Sequence, residues 1–288
     1  MISIILPVYN GEKYIYNSVK SVLASNYNNY ELIIINDGSN DETENIILKF
    51  KDPRIKYYSK QNSGIADSLN YGISKSRHEI IGRMDSDDEM DPNRFIYQLK
   101  KLKERVVLVG SNGFLITEEN KLFGKTNMPI LNYEIKQKIL NLKNPIIHPS
   151  VIFFKKSFIK SGKYNPEIKE SEDYDLWLRM IKQGEFNNCK QPLIKLRKGN
   201  YNESIIKAEN FLANNLTSLS FYHHQSNKNY FHEKKIIKES NYFLILNYLN
   251  NLIINSSINK TNNYLLYPLK IFRLVLMKFY SIKIKKLK

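Results

Sequence analysis

Short β-rich runs alternate with amphipathic segments at the start of this chain, and that alternation limits its fold more than any other feature. Strand character falls at Ile2–Val8, Glu31–Ile35, Ile55–Tyr58 and Glu79–Met84. Helical spacing falls between them, at Glu12–Ala24, Asp41–Phe50 and Ile65–Lys75, with Val19, Val22 and Leu23 on one face of the first. Ser39 or Asn40 is expected to cap the second helix, with Asp41, Glu42 and Glu44 in its favourable first turn. A βαβα order of this kind predicts an α/β fold with a mostly parallel sheet between helices.

Polar signatures sit where each strand ends. Tyr9-Asn10-Gly11 follows the first, Asn36-Asp37-Gly38-Ser39 the second, Gln61-Asn62-Ser63-Gly64 the third, and an acidic run from Asp85 the fourth. Open α/β sheets bind ligands at the carboxyl ends of their strands, so four separate loops point to one edge.

The pattern continues with strands at Val106–Val109, Phe114–Ile116, Ser150–Phe154 and Leu193–Leu196. Helices are expected at Tyr133–Leu140, Lys155–Lys160 and Glu172–Gln183. After about Tyr201 only helical patterning remains, which suggests one unit over residues 1–200 and a helical C-terminal extension over 201–288. There is no internal repeat. The opening MISIILPVYNG has an apolar run too short for a signal peptide and no basic leader. No stretch offers about twenty uninterrupted apolar residues, so no transmembrane helix is expected. Cys189 is the only cysteine, which rules out an intrachain disulfide, fits a reducing, cytoplasmic setting and suits a structural role.

RMDSDDEMDP, residues 83–92, places Asp85, Asp87, Asp88, Glu89 and Asp91 within seven positions of a chain whose formal net charge is +16. Two like charges 4 Å apart repel by about 4 kcal/mol at an effective dielectric of about 20. A hard divalent cation removes that repulsion, and Mg2+ commonly binds one or two carboxylates together with substrate phosphates. Asp85 and Asp87, separated by Ser86, are the candidate metal ligands. Glu89 and Asp91 fit an acidic turn opening a helix at Pro92, with Asp91 as its cap. Asn-Asp-Gly-Ser is good turn chemistry anywhere, but at this edge Asp37 is also a candidate acceptor for a nucleobase N–H.

A second constellation is ESEDYDLWLRM, from Glu170. On a helix Asp173, Leu176, Trp177 and Met180 share the inward stripe, while Asp175 and Arg179 form an i,i+4 pair on another face. An inward carboxylate at a helix start either caps the helix or lines a cavity as a general base. His148, held between prolines in Asn-Pro-Ile-Ile-His-Pro-Ser, reads as a satisfied loop histidine when taken alone, and His223-His224 as a surface pair.

PVYNG, NDGS, QNSG, RMDSDD, NPIIHPS and EDYDLWLR, in that order, resemble the family 2 inverting glycosyltransferases, particularly bacterial enzymes of surface-polysaccharide synthesis. The resemblance covers about residues 1–200 and implies a GT-A fold, a nucleotide-diphosphate sugar donor, by analogy a UDP-sugar, and a divalent metal, Mn2+ or Mg2+. Carried over residue by residue, it places the nucleobase against Pro7, Val8, Tyr9, Asn10 and Asp37, with Asn62 and Gly64 along the donor. Arg83 would face the pyrophosphate, Asp85, Ser86 and Asp87 the ribose and metal-diphosphate, and Asp87 would be the foremost metal ligand. The Glu172-Asp173 pair would supply the base, with Asp173 favoured, and His148 and Trp177 would lie on the acceptor side. Transfer would then proceed by direct displacement with inversion, to a glycan or lipid-linked acceptor.

Relatives in the family often carry Arg-x-His where this chain reads Arg197-Lys198-Gly199, so the histidine is missing and Lys198 is expected to hold the diphosphate by charge. From Tyr264 onward Lys270, Arg273, Lys278, Lys283, Lys285, Lys286 and Lys288 interleave with apolar residues and no acid, which predicts a basic amphipathic segment on anionic lipid at the inner membrane face. Three rival classes fare worse. Basic charge alone suggests nucleic-acid binding, but the acidic run sits where phosphates would approach. A dinucleotide-dependent oxidoreductase needs a glycine-rich fingerprint after the first strand, where PVYNGEKYI stands. A catalytically silent binder is disfavoured by the presence of Asp85, Asp87 and Asp173.

Overall fold

A computed structural model of the protein describes residues 1–141, 143–168 and 171–198. The expected C-terminal extension, its basic segment and His223-His224 lie outside the described residues.

The chain opens with β1 (Ile2–Val8), α1 (Ile15–Leu23), β2 (Tyr30–Asn36), α2 (Thr43–Leu48), β3 (Ile55–Ser59), α3 (Ile65–Lys75) and β4 (Ile80–Arg83). A two-residue strand β5 (Glu89–Met90) and α4 (Arg94–Lys101) follow, then the long β6 (Val106–Ile116), β7 (Leu122–Lys125) and α5 (Asn132–Leu140). A single 3-10 turn at His148–Ser150 leads into β8 (Ile152–Phe154), α6 (Lys155–Lys160), α7 (Glu172–Met180) and β9 (Glu185–Arg197).

One sheet runs in the order β3-β2-β1-β4-β8-β6-β9-β5, with β7 added to β6. β1 pairs in parallel with β2 and β4, β2 with β3, and β6 with β9, whereas β8 is antiparallel to both β4 and β6. β1, β2, β3, β4, β6 and β9 therefore share a direction, and their carboxyl ends share one edge. β1 and β2 are buried along their whole length. That is why they read as near-continuous apolar runs instead of alternating ones, with the buried Ser3 hydroxyl donating to Glu31 Oε1 at 2.7 Å. Ile4, Leu6, Leu32 and Ile34 anchor the core, each worth about 1.5–3 kcal/mol when fully buried. Cys189 lies within β9, also in the core, and burial pushes its thiol up to about 11.

Several local expectations are corrected. Val106–Val109 and Phe114–Ile116 are one strand, joined through Gly110-Ser111-Asn112-Gly113. The joining residues carry no apolar alternation, but their backbone pairs with β9 through register shifts. β9 likewise extends well beyond Leu193–Leu196, because pairing continues through the polar Asn187 and Asn188. Neither Ser39 nor Asn40 caps α2. Asp41 accepts the Thr43 N–H at 3.1 Å, while Ser39 Oγ accepts the N–H of Asn10 at 3.0 Å. α4 begins at Arg94 instead of Pro92, and Asp91 accepts the Asn93 N–H at 2.8 Å in the turn before it. Glu89 is a strand residue paired with Lys195 at 2.9 Å. Among the described residues no helix is long and apolar enough to cross a membrane.

α3 lies flush on β1 and β2 because Gly72 has no side chain there. A Cβ at Gly72 would meet Ile5 Cγ2 at 2.6 Å and Ile35 Cγ1 at 3.1 Å, both on stiff, buried side chains. Gly72→Val is therefore expected to overpack this layer and cost about 1–3 kcal/mol, read as a lower urea midpoint with an unchanged slope. An unchanged midpoint would show that α3 is free to move off the sheet.

Candidate active site

The loops at the shared edge are braced against one another before any ligand is considered. Asn10 takes a left-handed backbone conformation, φ 49°. Its Oδ1 accepts the Asn40 N–H at 2.9 Å, and Gly11 donates to Thr43 Oγ1 at 2.8 Å. Pro7 and Val8 are buried at the end of β1, whereas Tyr9 beside them is exposed and offers a ring face. Asp37 is buried, with its carboxylate accepting the N–H groups of Ser63 at 3.0 Å and Gly64 at 2.9 Å. The Lys60 ammonium pairs with the same carboxylate. Asp37 thus fixes the whole 60–64 loop, including exposed Asn62. Gly38 makes that approach possible, since at φ 75° a Cβ there would meet the Asn62 backbone nitrogen at 2.8 Å.

The acidic loop is held from both sides. On one side, Ser18 Oγ of α1 donates to the Asp85 carbonyl at 2.8 Å, and Ser21 Oγ accepts the Met90 N–H at 3.1 Å. On the other, the Arg197 N–H donates to Asp88 Oδ1 at 2.8 Å and Arg197 Nε donates to the Asp87 carbonyl at 2.9 Å. The same guanidinium also donates to the Thr117 and Glu118 carbonyls at 2.9 and 3.0 Å. Asp85, Asp87 and Asp88 each present an oxygen within 4.8 Å of the others. A trio of carboxylate oxygens so close together suits a hard divalent cation. Burial and the neighbouring Asp85 raise the Asp87 carboxyl, and burial with Asp85 and Asp87 raises Asp88 well above the ordinary range. Ser86 shares this loop and lies beside Gly11, where a Cβ would meet Ser86 Oγ at 3.6 Å.

Behind the trio stands Arg83, buried to 2% exposure and paired with Asp85. Its Nε has no hydrogen-bond partner among the described residues. The Arg83 charge also bears on Glu172 and Asp173 at the start of α7, so it joins the two acidic groups electrostatically. Asp173 is half-buried; its Oδ2 accepts from Asn144 Nδ2 at 2.6 Å and its Oδ1 accepts the Tyr174 N–H at 2.7 Å. Burial raises its carboxyl. Glu172 is buried, and burial together with the Asp173 charge lifts it to about 7. His148 lies beside it, with Nδ1 3.7 Å from Glu172 Oε1. Trp177 is fully buried and meets the His148 ring edge-on, centroids 5.8 Å apart, so it supports the histidine from below. Asp175 pairs with Arg179 as expected, though it too is buried.

The structure therefore gathers two sets at one edge. The first is the set of Tyr9, Asn10, Asp37, Asn62 and Gly64. The second is Arg83, Asp85, Ser86, Asp87, Glu172, Asp173 and His148. Sequence reasoning did not single out Asp88, Arg197, Lys60 or Tyr164. Asp88 was visible within the acidic run; the others become recognisable only once distant strands and loops are brought together. Lys198 is exposed next to Arg197, its backbone N–H donating to the Ile116 carbonyl at 3.0 Å.

Comparison with known proteins gives a consistent picture. The profile of the family described as Glycosyl transferase family 2 matches residues 3–162. An uncharacterized glycosyltransferase of Rickettsia typhi is 33% identical over 208 residues, covering 68% of this chain and 64% of the relative. The O-antigen biosynthesis glycosyltransferase WbnJ of Escherichia coli is 35% identical over 189 residues, covering 64% of this chain and 72% of WbnJ. The chain spans only 34% of the length of a similar Rickettsia felis protein. In fold it is similar to S. aureus TarS 1-349 in complex with UDP-GlcNAc, with a TM-score of 0.60 and 17% identity, covering 85% of this chain and 80% of that one.

The raised carboxyls yield a stability test. A carboxyl raised on folding binds its proton more tightly in the folded chain, so stability falls as pH rises through the raised value. Asp88→Asn keeps an acceptor for the Arg197 N–H but removes the charge. With chelator present, the variant is expected to melt above the parent at pH 7, by about 2–4 °C for each kcal/mol of repulsion relieved. The gap should close toward about pH 4, where the parent carboxyl is protonated. A variant that melts lower at pH 7 would mean that the trio is not under repulsion.

Proposed function

This chain belongs to glycosyl transferase family 2, and we propose that it moves a hexose or N-acetylhexosamine from a UDP-sugar to a glycan or lipid-linked acceptor in surface-polysaccharide synthesis. The observation that carries the reading is the meeting, around one buried Arg83, of an acidic trio suited to a cation and a helix-start carboxylate pair suited to a base.

On this reading Tyr9 stacks on the base, and Pro7, Val8 and Asn10 shape its cradle. Asp37 accepts the base N–H while keeping the Asn62–Gly64 loop in place. Asp85, Asp87 and Asp88 would hold Mn2+ or Mg2+, which when bound supplies Lewis-acid stabilisation of charge on the departing diphosphate. Arg83 steadies those carboxylates and has a free Nε to offer a phosphate oxygen. Asp173 takes the proton of an acceptor hydroxyl, whose oxygen attacks the anomeric carbon from the face opposite the leaving group, inverting its configuration. Burial suits Asp173 to this work by raising its affinity for that proton. Trp177 and His148 back the acceptor side, and Lys198 contributes charge near the diphosphate.

A panel of nucleotide-sugars incubated with Mn2+ or Mg2+ should show UDP release from one UDP-sugar, with inverted product by NMR. Asp173→Asn is expected to lower kcat about 10²–10⁴-fold, and Asp87→Ala to abolish metal-dependent turnover. In the same assay Lys198→Ala should raise the donor KM; an unchanged KM and kcat would remove Lys198 from the site. Release of no nucleotide from any donor would overturn the proposal.

The basic segment beyond Tyr264 suits a peripheral position on anionic lipid, where each Lys or Arg adds about 1 kcal/mol of attraction. Truncation at residue 263 should therefore lower co-sedimentation with phosphatidylglycerol vesicles. Equal sedimentation of the two chains would refute the membrane contact.

A further inference from the structure

A buried polar chain runs from Tyr164 through His148 toward Glu172. Tyr164, 2% exposed, places its hydroxyl 2.8 Å from His148 Nε2. The opposite ring nitrogen faces Glu172 Oε1 at 3.7 Å. Both ends are tied to the fold. The Tyr164 N–H donates to Asn70 Oδ1 at 3.1 Å, and its carbonyl accepts from Asn70 Nδ2 at 2.9 Å, locking it to α3. The His148 ring is packed against Trp177 and Tyr164, centroids 5.8 and 5.6 Å away.

The protonation pattern follows from the setting. Burial holds the Tyr164 phenol protonated, and burial with the Arg83 charge holds the imidazole neutral. A neutral ring has one donor and one acceptor nitrogen. The Tyr164 hydroxyl can donate or accept, so the choice falls to the ionised carboxylate facing Nδ1, which only accepts; it favours hydrogen on Nδ1 and leaves Nε2 to accept from the phenol. Nδ1 then faces Glu172 Oε1 across 3.7 Å, an electrostatic contact longer than a direct hydrogen bond.

We propose that Tyr164 and His148 are positioning residues that hold Glu172 beside Asp173 through the Nδ1–H tautomer of the imidazole. The inference rests on the sugar-transfer reading for its kinetic consequence but not for its structural one. Among the described residues, the groups acting on Glu172 are Asp173 on its own helix and Arg83 and Asp85 at and just after the end of β4, with His148 of the 3-10 turn facing it and Tyr164 bonded to that ring. An N–H aimed at a carboxylate favours its charged form, so removing it raises the pH at which the carboxylate pair ionises. Tyr164→Phe deletes only the hydroxyl and frees the ring to adopt the other tautomer. His148→Asn keeps an amide donor near the Nδ1 position.

The test has two arms. With saturating Mn2+ and UDP-sugar, the acid limb of the kcat profile should move up by about one pH unit in Tyr164→Phe, while activity above the limb is retained. His148→Asn should keep the limb within a few tenths of a unit. A uniform loss of kcat at every pH, with the limb unmoved, would make Tyr164 merely structural and overturn the proposal. The second arm needs no turnover and so survives failure of the sugar-transfer reading. In ¹⁵N-histidine NMR, the signal lost in His148→Asn should show the Nδ1–H tautomer at pH 7 in the parent protein. An Nε2–H tautomer or a cationic ring there would refute the proposal even if sugar transfer stands.

Discussion

A single buried guanidinium amid carboxylates governs this molecule. Arg83 sits at the end of β4, paired with Asp85, and its charge also bears on Asp87, Asp88, Glu172 and Asp173. Burying a charge costs several kcal/mol unless it is paired, so the cation and the acids depend on each other. Burial, aided by the same charge, keeps His148 neutral, and that charge also acts on the buried Arg94, whose guanidinium burial lowers to about 9. Arg94 in turn donates to the Arg83 carbonyl at 2.8 Å and the Val151 carbonyl at 3.1 Å, fixing where β4 ends. The electrostatics of the site and the geometry of the strand end are therefore set together.

Around that centre the edge of the sheet is cross-braced by side chains remote in sequence. Asp37 holds the loop after β3, Ser18 and Ser21 hold the acidic loop to α1, and Arg197 ties it to the turn before β7. Rigid support offsets the repulsion within the acidic cluster. It also keeps the cluster's oxygens in place, so the cation and diphosphate of the proposed reaction would require little reorganisation.

Much of this was legible in the chain itself. β1 and α3 match their expected bounds residue for residue, because apolar runs and Gly64 at the helix start are local signals. The polar turns after β1 to β4 marked the edge for the same reason. What stayed hidden was non-local. β6 and β9 are held by backbone pairing through polar and glycine residues, which leave no periodic trace. Arg197 reads as one more basic residue in a basic chain until it is seen donating to three carbonyls. Tyr164 lies in a loop stretch with no motif, and only the fold brings it to His148. Trp177 shows the opposite limit. Its spacing placed it correctly on the inward face, but the core lies there, and it reaches the site only through the histidine above it.

Cys189 gives the protein an internal clock. The lone thiol is shut inside β9 and held almost wholly protonated at neutral pH, so it is a poor nucleophile while the sheet is intact. Alkylation of this chain then proceeds no faster than the strand opens, and the labelling rate becomes a direct reading of how often the sheet's interior is exposed.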